Sequence, residues 1–153
     1  MAIAGGHALK TREVLVRYLI CRGIMDEDSR WQDCYAKPWI SFPVFGWKLL
    51  FFPTWGKWGA LALHDVNHLL SGCETSWSGE FEIAGWELAS GGCGWHLLYW
   101  LDRISTFAIG LVVAPRPVLL GLRRGRGHRN AFRLSRRRVL EMEFDDLRRY
   151  ASV

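Results

Sequence analysis

The chain has 153 residues, half of them hydrophobic, with nine tryptophans and a formal charge of +5. That is the length of one domain with ample apolar mass for a core, which excludes a disordered polyelectrolyte and a disulfide-stapled miniature. The charge is segregated: residues 115–140 carry nine arginines and no acid, leaving minus four elsewhere. A basic block beside an apolar body suits an anionic surface such as phospholipid headgroups, a phosphate or nucleic acid.

Residues 8–22 predict an amphipathic helix with Leu15, Tyr18 and Leu19 near one face. Lys10, Arg12 and Arg17 interrupt any secretory apolar run, so a cytoplasmic-type compartment with reduced thiols is expected. The cysteines at 21, 34, 73 and 93 lie far apart with no C-x-x-C spacing, which argues against a cysteine zinc site. From Lys37 to Lys57 three prolines, Pro38, Pro43 and Pro53, forbid a long helix in a strongly aromatic stretch. As a loop across the core, a membrane-facing flap or the lining of an apolar channel, this stretch fits equally well.

Trp58 to Leu70 is apolar nearly all the way round, the pattern of a buried helix. On it, His64 and His68 lie about 40° apart and Asp65 about 60° beyond His68, so all three project from one side. Gly72 can close this helix, and Thr75, Ser76 and Ser78 offer caps for a second over residues 79–90. A tight turn returns Glu80 to the level of the histidines. Two imidazoles and two carboxylates in an apolar setting need partners, and a shared divalent cation satisfies them together. The expected ligands are His64, His68 and Glu80, with Asp65 as a fourth ligand or as a partner of a histidine; zinc, manganese and iron(II) all suit such donors. On the second helix Glu80, Ala84 and Glu87 share a stripe, so Glu87 is expected as a fourth ligand or as a carboxylate standing behind a ligand, whereas Glu82 reads as a solvated charge. Ala84 and Gly85 allow a close neighbour.

Residues 95–114 predict a fourth helix. Its uncharged run, Ile104 to Ala114, is eleven residues, about 16 Å as a helix against a hydrocarbon core of about 30 Å, so it is a buried helix or a peripheral contact and does not span. Asp102 and Arg103 read as a paired rim or a lid on the site, and His96 as an interfacial or core histidine. Pro115 and Pro117 end the helix, a Gly-Arg-rich turn follows, and a terminal helix begins near Ser135, with Glu141 pairing Arg137 or Arg138. There are no repeats, heptads or nucleotide-binding glycine loops.

His64-Asp65-x-x-His68, eleven residues, then Glu80 resembles the signature of the COQ4 family of ubiquinone biosynthesis proteins. Gly72, Thr75 and the Gly79-Glu80 pair fall where that family has its turn, and Glu87-Leu88-Ala89 followed by Gly91 where its helix ends; Glu74 departs from the small residue expected there. The resemblance covers roughly residues 56–150 and is specific over 64–91. It implies a zinc-binding, mostly helical protein associated with a membrane and acting on polyprenylated quinone precursors, in the oxidative decarboxylation at ring carbon 1. Asp65 and Glu80 are then the carboxylates available for proton handling. The location implied is peripheral on an inner membrane, the matrix side of the mitochondrial one if the source is eukaryotic, alone, as a homodimer or with other quinone-biosynthesis proteins.

The expected fold is therefore all-α: one domain over 1–153, a bundle of five or so helices with no sheet beyond an incidental hairpin. Residues 1–55 supply the first helix and the aromatic stretch, 56–91 the metal-bearing pair, and 92–153 the apolar helix, arginine-rich turn and terminal helix. Two other functions compete with a decarboxylase. One is a prenyl-lipid-binding scaffold in which the metal pins two helices. The other is an HD-type metal phosphohydrolase, which wants a further upstream His and downstream Asp. Nucleic acid is disfavoured because the arginines lie away from the tryptophan-rich stretches.

Overall fold

The computed structural model describes residues 8–35, 39–44, 47–53 and 58–152, with Cys34, Trp58 and residues 39–53 described by their backbone alone. Among them the chain forms α1 (Thr11–Cys21), α2 (Trp31–Cys34), α3 (Trp58–Ser71), α4 (Trp77–Ala89), α5 (Leu97–Val113), α6 (Pro115–Gly125), a 3₁₀ turn at Ala131–Arg133, α7 (Arg136–Glu141) and α8 (Phe144–Ala151). This is the all-α bundle expected, in more and shorter pieces. The one hairpin pairs β1 (Trp39–Val44) antiparallel to β2 (Trp47–Pro53), and its register shifts between Phe42 and Pro43, an irregularity where a residue without an N–H is tolerated. Whether the Lys37–Lys57 side chains form a flap or a channel lies outside the described residues.

The site-bearing pair ends and starts where its small and polar residues dictate. Gly72 takes φ +70° and donates its N–H to the His68 carbonyl at 2.9 Å, closing α3. Ser76 caps α4 by accepting from the Gly79 N–H at 3.2 Å. Beneath the pair lies a core of Leu15 and Leu19 from α1, Leu63 and Val66 from α3, Tyr99 from α5, Val139 from α7 and Leu147 from α8. The chain's two ends meet here: Thr11 donates both its N–H and its hydroxyl to the Met142 carbonyl, at 2.9 and 3.0 Å.

Residues 115–125 are a helix, not part of a turn. Pro115 and Pro117 stand in its first turn, where backbone N–H groups have no helical partner to lose, so the prolines begin α6 as well as ending α5. Its glycines are what let it touch α4: a Cβ on Gly121 would stand 1.9 Å from the Glu82 carbonyl oxygen, and one on Gly85 of α4 would stand 2.4 Å from that of Val118. The close approach foreseen for Gly85 is thus made with α6. The terminal helix is also broken, at the extended Met142 and Glu143, where Glu143 bridges to Lys10. Glu141 consequently pairs with Lys10 at 2.9 Å and Arg12 at 3.0 Å instead of with Arg137 or Arg138. Glu82 is not a free solvated charge either, for it holds Arg124, which also donates to the Ser71 carbonyl.

α5 is amphipathic in the reverse sense. Its inner stripe buries Tyr99, Arg103 and Gly110, while Leu97, Leu98, Leu101, Ile104, Ile109 and Val112 stand at the surface, the last 84% exposed. Trp95 before it is fully exposed, and Leu119 and Leu120 of α6 continue the apolar surface. Among the described residues no helix is long and apolar enough to cross a membrane.

Candidate metal centre

α3 places His64 and His68 one turn apart, and the cap at Ser76 sets Glu80 in the first turn of α4 opposite them. One donor atom from each of the three lies within 4.8 Å of the others. His68 Nε2 is 3.2 Å from Glu80 Oε1, His64 Nε2 is 3.6 Å from Glu80 Oε2, and the two Nε2 atoms are 3.2 Å apart. Both histidines are buried, and the Glu80 side chain is 19% exposed, so solvent reaches the cluster on its side.

The opposite edges of the rings settle which nitrogen carries hydrogen. His68 Nδ1 lies 2.9 Å from the Cys73 carbonyl, which can only accept, so Nδ1 donates. His64 Nδ1 lies 2.9 Å from Oε1 of Glu87, a fully buried carboxylate, and donates likewise. The neutral imidazoles are thereby left with two bare Nε2 lone pairs facing each other and a carboxylate. Three acceptors converging in a buried site require a cation between them. A proton on His64 is one such cation: burial alone would lower this imidazole, but Glu87 and Glu80 outweigh it and raise its pKa to about 10. A divalent metal is the other. Two imidazoles and one carboxylate are the three-donor set found in catalytic zinc sites, and the buried carboxylate behind His64 is the usual orienting partner of such a ligand.

Glu80 and Glu87 are both charged here. Burial opposes this, but the hydrogen bond from protonated His64 and the charges of His64 and Arg103 hold Glu80 well below the usual carboxylate range, and the charge of His64 lowers Glu87. Asn67 locks Glu87 in place, donating to its Oε1 at 2.8 Å while its own Oδ1 accepts from the Ala131 N–H at 2.9 Å. Tyr99 donates to the other oxygen of Glu87 at 3.4 Å. Asp65 is not among the converging donors; its Oδ2 accepts from the Tyr35 hydroxyl, and burial raises its pKa. The role of histidine partner foreseen for Asp65 or Glu87 is filled by Glu87.

Arg103 is turned inward. Its Nη1 lies 3.3 Å from Glu80 Oε2, its Nε and Nη2 lie 3.1 and 2.8 Å from Asp102 Oδ2, and its guanidinium sits 5.2 Å over the Tyr99 ring. The pair with Asp102 was legible from adjacency, but the reach to Glu80 was not. Asn67, Tyr99 and Tyr35 also escaped the sequence reading, although Asn67 lies between the two histidines and could have been sought there. Burial pushes the Cys73 thiol up to about 11 and the Cys93 thiol up to about 12, so both stay protonated at neutral pH and serve as small buried side chains. His96 is half-buried and stacks edge-on against Phe132.

Comparison of the chain with protein-family models, with curated proteins and with solved structures gave no match.

Proposed function

We propose that this protein is a zinc-dependent decarboxylase of polyprenylated hydroxybenzoates in ubiquinone biosynthesis, peripheral on a membrane. The observation that carries the reading is the convergence of His64 Nε2, His68 Nε2 and the Glu80 carboxylate in a buried, solvent-reachable cluster, on the spacing that resembles the COQ4 signature. Zinc is the metal chosen by that resemblance, since manganese or iron(II) would suit the same donors. When bound, the metal supplies Lewis acidity to a carboxylate or phenolate oxygen of the aromatic ring.

The chain's own residues do the remaining work. Glu87 and the Cys73 carbonyl fix both imidazoles in the tautomer that presents Nε2. Glu80, shared among His64, His68 and Arg103, and Asp65, bonded to Tyr35, are the carboxylates at hand to move a proton as the carboxyl leaves. In the oxidative step at ring carbon 1 carbon dioxide leaves, a hydroxyl from water takes its place, and the two electrons and two protons released pass to dioxygen, giving hydrogen peroxide, or to an oxidant brought by a partner protein. The exposed apolar strip of α5 and α6 beside Arg116 and Arg123 supports contact with an anionic bilayer from which a prenylated substrate is drawn.

The same strip favours one alternative, a scaffold that holds a prenyl lipid while other proteins of the complex do the chemistry. Incubating the purified protein with a carboxyl-labelled prenylated 4-hydroxybenzoate, with and without oxygen, separates the two. Label released in a His64- and Glu80-dependent manner is expected; tight lipid binding that survives both substitutions with no release would replace the enzyme by the scaffold.

A further inference from the structure

We propose that Arg103 is the anion anchor of this site, one that takes one oxygen of a substrate carboxylate while the other oxygen meets the metal. The inference rests on the metal-site reading above and adds to it the group that selects a carboxylate. Arg103 is the single Lys or Arg buried among the described residues, 6% exposed. Burying a guanidinium is costly unless its charge and donors are used. Its contacts to Asp102 and Glu80 occupy three of its five N–H donors, and the other two have no partner among the described residues.

The contact to Glu80 is also the weakest of the set. At 3.3 Å it is longer than a charge-assisted bond usually is, and Glu80 is already shared with both histidines. Asp102 on one side and the Tyr99 ring beneath hold the guanidinium still, and Tyr99 is in turn tied to Glu87. Held so, the guanidinium keeps two N–H donors to spare one hydrogen bond from a metal-ligand atom, and is placed to donate to one oxygen of a carboxylate whose other oxygen meets the metal. A neutral amide isostere carries no charge and puts an NH2 donor where one acceptor oxygen of the carboxylate stands, so discrimination falls on the anion.

The test uses the full chain loaded with cobalt(II), whose visible absorption reports its ligands, titrated with benzoate and with benzamide. The wild-type protein is expected to bind benzoate at least about tenfold more tightly than benzamide, a factor worth about 1.4 kcal/mol. Arg103→Gln should abolish that preference by weakening benzoate alone, and Arg103→Lys, which keeps the charge and loses the fork, should retain part of it. A merely structural Arg103 would instead change cobalt content, the anion-free spectrum and the unfolding temperature while leaving the preference intact. Should Arg103→Gln not fold, the lysine variant and the wild-type selectivity still decide. Equal affinity of the wild type for benzoate and benzamide, or variants that bind benzoate as the wild type does, overturn the anchor and leave the metal reading standing. Wild-type protein that takes up no cobalt overturns both.

Discussion

The inner and outer faces of α5 break the usual rule of helix amphipathicity in opposite ways. Inside, the helix presents Arg103 and the Tyr99 hydroxyl to a cluster of Glu80, Glu87 and two histidines; outside, it presents leucines and isoleucines to solvent. A helix normally does the reverse, because charge is costly inside and apolar area is costly outside. The inner inversion is compensated within the chain by ion pairs, in a cluster that could hold a cation. Nothing among the described residues covers the outer one, and in the function proposed above a bilayer does. On that reading the two faces separate what this protein satisfies by folding from what it satisfies by binding.

The inner face is broken most completely by removing its ligands. Elemental analysis of protein purified without added metal should find one divalent ion per chain, and none in a His68→Ala, Glu80→Ala double variant. Less severe is Glu87→Gln, which keeps the shape and loses the charge behind His64. Metal affinity should fall by about 10- to 100-fold in competition with a chromogenic chelator, the usual loss when the orienting partner of a ligand is removed. An unchanged affinity would reduce Glu87 to packing.

The outer face is tested by Leu101→Ser with Ile104→Ser. Binding to anionic vesicles should weaken about 10- to 100-fold in cosedimentation, since full burial is worth about 1.5–3 kcal/mol per side chain and each of these has about half of it left to gain, and added salt should weaken it further. Unfolding free energy should move by no more than about 0.5 kcal/mol, as both residues are exposed. A large stability loss with unchanged vesicle binding would show the strip to be covered within the fold.

Smallest is the pH effect on the inner face. His64 rises from an ordinary 6.5 to about 10 in the folded chain, so in metal-free protein its protonation favours folding. That contribution is full below about pH 6.5 and is lost as pH climbs through about 10. Metal must displace the same proton. Calorimetry should therefore show the unfolding temperature of metal-free protein declining across this window with that of metal-loaded protein nearly flat, and proton release on metal uptake at pH 7.5.

Residue spacing alone determined that His64, His68 and Glu80 share a site, because helical periodicity and a glycine-closed turn act over short range and leave few arrangements. The bounds of α3, a cap among Thr75, Ser76 and Ser78, and the buried face of α1 were legible for the same reason, whereas α4 begins two residues earlier than expected because Ser76 is the one that caps it. Asp65 was misplaced relative to the donors because a helix angle of about 60° does not say which neighbour a short carboxylate will find; Tyr35, thirty positions away, took it. α6 was hidden because proline and glycine read locally as breakers, whereas in the fold the prolines occupy a first turn and the glycines admit α4. Only the tertiary structure decided that Glu87 stands behind His64, that Arg103 turns inward and that the leucines of α5 turn outward, since each depends on how helices distant in sequence rotate against one another, and no local pattern records that rotation.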